Sequence, residues 1–164
     1  MDFNFSQEAT ALISEARLCA IDLGSDHIST VHLFLADCKS DNPYSIKDFV
    51  FKTTEEFQQF FNSQGVAEAS FLDAELVGSL PITLEMEQTI FNAQKQYKQM
   101  LQPHHFFLAA SLLKESLFYL ILDPKEGLYE RLRNYYTQKG ITIIDKTVID
   151  KTEKKSFWKH FTRR

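Results

Sequence analysis

The chain has 164 residues, 44% of them hydrophobic and 24% charged, with a formal net charge of −4 at pH 7. This length suits one domain with a substantial core, and the composition excludes wholesale disorder. Residues 150–164 carry a net charge of +4, which leaves −8 for the preceding body. An acidic body argues against nucleic-acid binding by the domain itself, because phosphate contacts need clustered Lys and Arg.

The first residues and the cysteines indicate a cytoplasmic protein. The opening MDFNFSQEA has neither the basic nor the apolar region of a secretory signal. Cys19 and Cys38 lie in apolar, helical surroundings and form no CxxC pair, so we expect buried, reduced thiols. The most apolar stretch, residues 106–122, contains charged residues at its centre. We therefore expect it to be a core segment and not a membrane span.

A one-sided apolar pattern predicts an amphipathic helix over residues 6–23. Ser6 is expected to cap its start, and Gly24 to follow its end in the left-handed conformation. A second helix with the same pattern is expected to be capped by Thr83, just after a proline. Its apolar positions lie 77 residues after their counterparts in the first helix and are Met86, Ile90, Ala93, Tyr97 and Met100.

One short phrase occurs twice, as STVHLFLA at 29–36 and QPHHFFLA at 102–109. The two copies share the spacing HxFLA and lie 73 positions apart. We expect His32 and His105 to be structural, each ring packing at a helix start with a nitrogen bonded to the backbone.

A third matching segment follows each copy of the phrase. EEFQQFFNSQGV and YERLRNYYTQKGI align Gly65 with Gly140, and each glycine is expected to end a helix in the left-handed conformation. The second of these helices is expected to begin at Asp123-Pro124-Lys125-Glu126, where cap, N1 proline and N3 glutamate agree. Three landmarks in one order predict an internal duplication.

The sequence therefore predicts an all-α fold, a duplicated four-helix unit with a groove along the seam. The predicted helical domain covers residues 1–145. Its first repeat spans about 3–66, the linker about 67–81 and the second repeat about 82–141. A short β-branched segment after the second repeat is expected to be extended, and residues 146–164 form a basic, aromatic tail.

FSQEATALISEARLCAIDLGSDHISTVHLFLA resembles the first half of the amino-terminal (Clp N) domain of Clp-type AAA+ unfoldases. Residues 82 to about 141 resemble a diverged second half, and that family domain is a duplicated four-helix unit. The matching positions are Glu8-Ala9, Ala16-Arg17, Leu23-Gly24-Ser25, Ile28 and Thr30-x-His32-Leu33.

Two departures from the family limit what the resemblance implies. The family usually has glutamate before the histidine, where this chain has Val31 and His104. Those glutamates help some members to recognise phosphorylated arginine, so we do not expect that activity here. The sequence also has no GxxxxGK[ST] phosphate loop, which excludes an ATPase of this type in the visible chain. We expect a stand-alone copy of the domain.

The resemblance implies a non-catalytic protein–protein interaction module, an accessory or regulatory subunit of Clp-dependent protein quality control that needs no cofactor. Its partner would be a Clp ATPase, a Clp protease subunit or a substrate. The candidate partner-binding residues are Phe157, Trp158, Phe161, Val31 and His104. Two alternatives stay open: a small-ligand binder or enzyme that reuses the fold, and a membrane or nucleic-acid binder that acts through its basic tail.

Other residue patterns favour structural roles. His104 and His105 are adjacent, so they diverge by about 100° on a helix and would not easily share one metal ion. No HExxH or GxSxG motif appears, and we expect neither a metal site nor catalytic residues. Glu85 and Glu87 lie in the first turn of a predicted helix, where they favour the macrodipole.

Overall fold

A computed structural model describes residues 4–51, 80–97, 99–122 and 127–144. Over these ranges the chain is helical without a strand, which confirms the all-α class. None of the helices described is long and apolar enough to cross a membrane. They are α1 (Gln7–Asp22), α2 (Thr30–Lys39), α3 (Lys47–Val50), α4 (Leu84–Gln96), α5 (Pro103–Leu112), α6 (Leu117–Ile121) and α7 (Leu128–Gln138).

The ends of α1 and the start of α4 follow their predicted chemistry. The hydroxyl of Ser6 accepts a hydrogen bond from the amide of Ala9 at 3.0 Å. Gly24 has φ +68°, and its amide donates to the carbonyl of Ile21, as in a glycine-terminated helix. The hydroxyl of Thr83 accepts from the amide of Met86 at 3.3 Å. These three predictions are confirmed.

The ends of α4 and α7 differ in part from the predictions. α4 stops at Gln96, so Met100 lies beyond the helix and is 48% exposed. The predicted helix was therefore about one turn too long at its end. Gly140 ends α7 with φ +82°, as predicted. The described part of α7 begins after Gly127, whereas Asp123–Glu126 and the predicted helix ending at Gly65 lie outside the described residues.

The helices pack in two pairs around a shared core. α1 packs on α2 and α4 on α5, while α1 also touches α5 and α2 also touches α4. Phe118 of α6 contacts the phenylalanine of each HxFLA phrase, with ring centroids 5.7 Å from Phe34 and 5.4 Å from Phe107. The repeated phrases therefore meet on one aromatic side chain in the core.

Two isolated parallel bridges join the front of the chain to its second half. The amide of Ser6 donates to the carbonyl of Leu101 at 3.0 Å, and the amide of Leu101 donates to Asn4 at 2.8 Å. The amide of Thr83 donates to Ile28 at 2.9 Å, and that of Ile28 donates to Pro81 at 2.9 Å. Thr83 lies 77 positions after Ser6, and Leu101 lies 73 positions after Ile28. The second pair of bonds therefore repeats the first with the two halves exchanged. Each half thus holds the other by the same backbone bonds.

Candidate functional site

The predicted partner-binding residues fall in three different settings. Phe157, Trp158 and Phe161 lie outside the described residues. Val31 is half-buried in the first turn of α2 and packs against the core. His104 lies at the matching position of α5 but is only 3% exposed. The two described residues are therefore close to their helix starts, and their contact with a partner stays a prediction.

His32 and His105 close the starts of α2 and α5 in the same way. The amide of Ser29 donates to Nδ1 of His32 at 2.9 Å, and the amide of Gln102 donates to Nδ1 of His105 at 2.9 Å. Because Nδ1 accepts, the proton of a neutral His32 ring is on Nε2, which lies 3.1 Å from the hydroxyl of Ser25. The structural role predicted for both histidines is confirmed.

His104 occupies an aromatic cage without a hydrogen bond. Its ring stacks on Tyr44 at 5.1 Å and touches His105 at 4.1 Å and Tyr136 at 5.4 Å between centroids. Neither ring nitrogen has a hydrogen-bond partner in the described part of the chain. Burial, together with His105, lowers the pKa of His104 to about 3, and burial lowers that of His105 to about 4. Both rings are therefore neutral at pH 7.

The same substitution should have different effects at these two neighbouring positions. We expect His105→Phe to cost about 1 to 2 kcal/mol more than His104→Phe, because only His105 accepts the amide of Gln102. Urea unfolding of the two variants measures the difference. Both changes enlarge the ring equally, so His104→Phe controls for overpacking. Equal destabilisation would show that the bond to His105 contributes nothing.

Asp37 is a second buried titratable group, at the end of α2. It is 0% exposed, and its Oδ2 accepts the amide of Ile46 at 2.8 Å and the hydroxyl of Ser45 at 3.3 Å. Its other oxygen has no partner among the described residues. Burial raises the pKa of Asp37 to about 7 in spite of these bonds. Burial also raises the pKa of the neighbouring Cys38 thiol, which disfavours a reactive thiolate.

Glu85 accepts hydrogen bonds from residues of both halves. Its carboxylate accepts from the amide of Thr30 at 2.9 Å and from the hydroxyl of Thr30 at 2.6 Å. It also accepts from the hydroxyl of Thr83 at 2.7 Å and the amide of Leu117 at 3.1 Å. The sequence predicted only a role at the helix macrodipole for Glu85 and missed its bonds to distant segments. One side chain joins the starts of α2, α4 and α6.

A groove runs beside Glu85, between α4 and the connection from α5 to α6. This α4 groove has a volume of about 940 Å³. Its lining includes Leu84, Glu85, Gln88, Phe91, Leu113 and Glu115. All belong to the second half, so this groove does not run between the two halves as the predicted seam groove would.

A smaller groove lies at the matching place in the first half. This α1 groove has a volume of about 160 Å³ and is lined by Glu8, Ala11, Leu12, Glu15, Ala36, Ser40 and Asn42. Glu8 and Ala11 stand 77 positions before Glu85 and Gln88. Ser40 and Asn42 stand 73 positions before Leu113 and Glu115. The two halves therefore carry grooves of different size at matching places.

Among the described residues, neither a metal-ligand cluster nor a match to a known protein identifies a further site. The described residues contain no group of three or more His, Cys, Asp or Glu side chains placed to hold a metal ion. Comparison with known protein families and with curated proteins found no match to this chain. The arrangement offers neutral, enclosed histidines, a buried acid and two surface grooves.

Proposed function

We propose that this protein is a non-catalytic protein–protein interaction module, a duplicated helical domain of the Clp N type. In this proposal it acts in the cytoplasm as an accessory subunit of Clp-dependent protein quality control. Its partner is a Clp ATPase, a Clp protease subunit or a substrate of that machinery.

The observation that carries this proposal is the reciprocal bonding of the two halves. The amide of Ser6 donates to Leu101 and that of Leu101 to Asn4, just as the amide of Thr83 donates to Ile28 and that of Ile28 to Pro81. The matching histidines His32 and His105 make the same bond to a preceding backbone amide. Such agreement between distant segments supports a duplicated unit, which is the organisation that the resemblance to Clp N domains implies.

The state of the titratable side chains supports binding over catalysis. A general base or nucleophile must reach its substrate, and a base works best with a pKa near the operating pH. His104 and His105 are buried, with pKa values lowered to about 3 and about 4. Cys19 and Cys38 are buried thiols whose pKa burial raises. The α4 and α1 grooves are lined by other residues.

Partner capture on the full chain tests this function. We expect immobilised protein to enrich Clp ATPase or protease subunits from a lysate of the native source, identified by mass spectrometry. Val31→Lys should reduce their recovery, because it places a charge on a proposed apolar partner contact at the start of α2. Leu18→Lys, at a 42% exposed position of α1, is the matched control.

Purified Clp subunits then show whether the contact is direct, by co-sedimentation with the full chain. Thermal melting of both variants must match that of the original protein, so that lost capture reports binding and not unfolding. Absence of every Clp subunit from the captured fraction, in a lysate shown to contain them, would contradict the proposal.

A further inference from the structure

We propose that the α4 groove is a docking site for the chain's own segment 157–161, whose Phe157, Trp158 and Phe161 cover the groove in the free protein. This intramolecular contact goes beyond the function proposed above and does not rest on it. Three observations support it: the apolar lining of the groove, its charge, and the reach of the tail.

Among the described lining residues, large exposed apolar side chains occur in the α4 groove and not in the α1 groove. Leu84 is 69% exposed and Phe91 is 37% exposed, both on the groove side of α4. The equivalent residues 77 positions earlier are Gln7 and Ser14. Leu113, at the far wall, corresponds to Ser40 in the α1 groove. The fold therefore accepts polar residues at these places, so the apolar surface of the α4 groove calls for a separate explanation, such as an occupant.

The charges around the groove are complementary to the tail. Glu85 and Glu115 line it, and no Lys or Arg is among its described lining residues. At the rim, Lys95 lies over the ring of Phe91 at 4.5 Å. The segment 150–164 has six Lys and Arg around its three large aromatic side chains. Aromatic anchors in an apolar groove, flanked by basic residues near acidic ones, form a matched pair of surfaces.

The tail is long enough to reach this groove. Phe157 follows Ile144, the last described residue, by 13 positions. That length can span up to about 40 Å when extended, whereas a body of this size has a radius of gyration of about 14 Å. An intramolecular contact also benefits from a high effective concentration, so a modest surface is sufficient.

The only tryptophan in the chain, Trp158, reports directly on this contact. In the full-length protein we expect its emission at short wavelength and slow quenching by acrylamide, as for a covered indole. The double variant Leu84→Gln, Phe91→Ser installs the equivalent first-half residues. We expect it to move the emission to longer wavelength and to lower the ratio of docked to free tail at least about tenfold, the equivalent of about 1.4 kcal/mol.

Leu18→Gln is the matched control, since it makes the same exchange on an exposed part of α1 outside both described grooves. It should leave the emission of Trp158 unchanged. Circular dichroism melting of all three proteins separates release of the tail from loss of the fold, and the exposed Leu84→Gln change alone serves if the double variant melts early.

Three outcomes would overturn the proposal. Trp158 could be fully accessible to acrylamide in the original protein. It could stay protected in the groove variant, which would place it elsewhere. Its protection could disappear on dilution, which would assign the groove to the tail of a second copy. The measurement needs no partner protein, so its failure and that of the proposed function are independent.

Discussion

Replacing Glu85 by alanine is expected to lower the free energy of unfolding by about 4 kcal/mol, because charge-assisted hydrogen bonds are lost and buried donors are left unpaired. The amide and hydroxyl of Thr30 lose their acceptor, although Thr30 is only 1% exposed. Thr83 and Leu117 lose theirs as well. Urea unfolding followed by circular dichroism measures the change.

Glu87 provides the matched control for this prediction. It lies in the same first turn of α4 and has the same charge, but it is exposed. Both residues therefore interact with the helix macrodipole, so Glu87→Ala subtracts that contribution. Glu85→Gln should be intermediate, since its amide keeps one acceptor oxygen but turns an NH₂ group toward a donor. If Glu85→Ala were no worse than Glu87→Ala, the junction would not depend on this carboxylate.

Replacing Asp37 by asparagine is expected to stabilise the protein above neutral pH. Burial raises the pKa of Asp37 to about 7, compared with an ordinary value of 3.8. Between these values the folded protein retains a proton that the unfolded chain has lost, so stability falls as pH rises from about 4 to about 7. Asparagine remains neutral throughout and avoids this loss. The gain should approach about 4 kcal/mol above pH 7, from 1.36 kcal/mol per pKa unit.

The difference in unfolding free energy between Asp37→Asn and the original protein, at several pH values from 4 to 8, isolates this group. His104 and His105, whose pKa values are lowered to about 3 and about 4, favour the opposite trend, with stability lost as pH falls below about 6.5. Their effect is common to both proteins and cancels in the difference. Asp41→Asn, at an exposed position nearby, is the control. If the difference in unfolding free energy between Asp37→Asn and the original protein did not change with pH, the prediction would be contradicted.

Features set by short stretches of chain could be predicted from the sequence. Ser6 and Thr83 are caps because their hydroxyls reach an amide three residues on. His32 and His105 reach back three residues to an amide in the same way. The apolar period placed Met86, Ile90 and Ala93 in the core. The period could not show where α4 stops, because no cap residue precedes Met100.

Features set by distant segments could not be predicted from the sequence. Glu85 bonds Thr30 across 55 positions and Leu117 across 32. In the sequence it looks the same as its neighbour Glu87. The high pKa of Asp37 follows from burial at the end of α2, and a single Asp after an apolar phrase carries no sign of that. The difference between the two grooves becomes visible only when Leu84 is compared with Gln7, which requires the register of the two halves.

The reciprocal backbone bridges have a consequence for the origin of this architecture. A single half would leave its extended residues beside Ile28 or Leu101 without a backbone partner, and a second identical half would satisfy them. On the proposed duplication, the present chain corresponds to a symmetric homodimer whose two subunits were joined by a linker. Once they were joined, the two halves could differ in sequence, because a substitution in one copy no longer appears in the other. One half could then carry Leu84 and Phe91 while the other kept Gln7 and Ser14 at the matching positions.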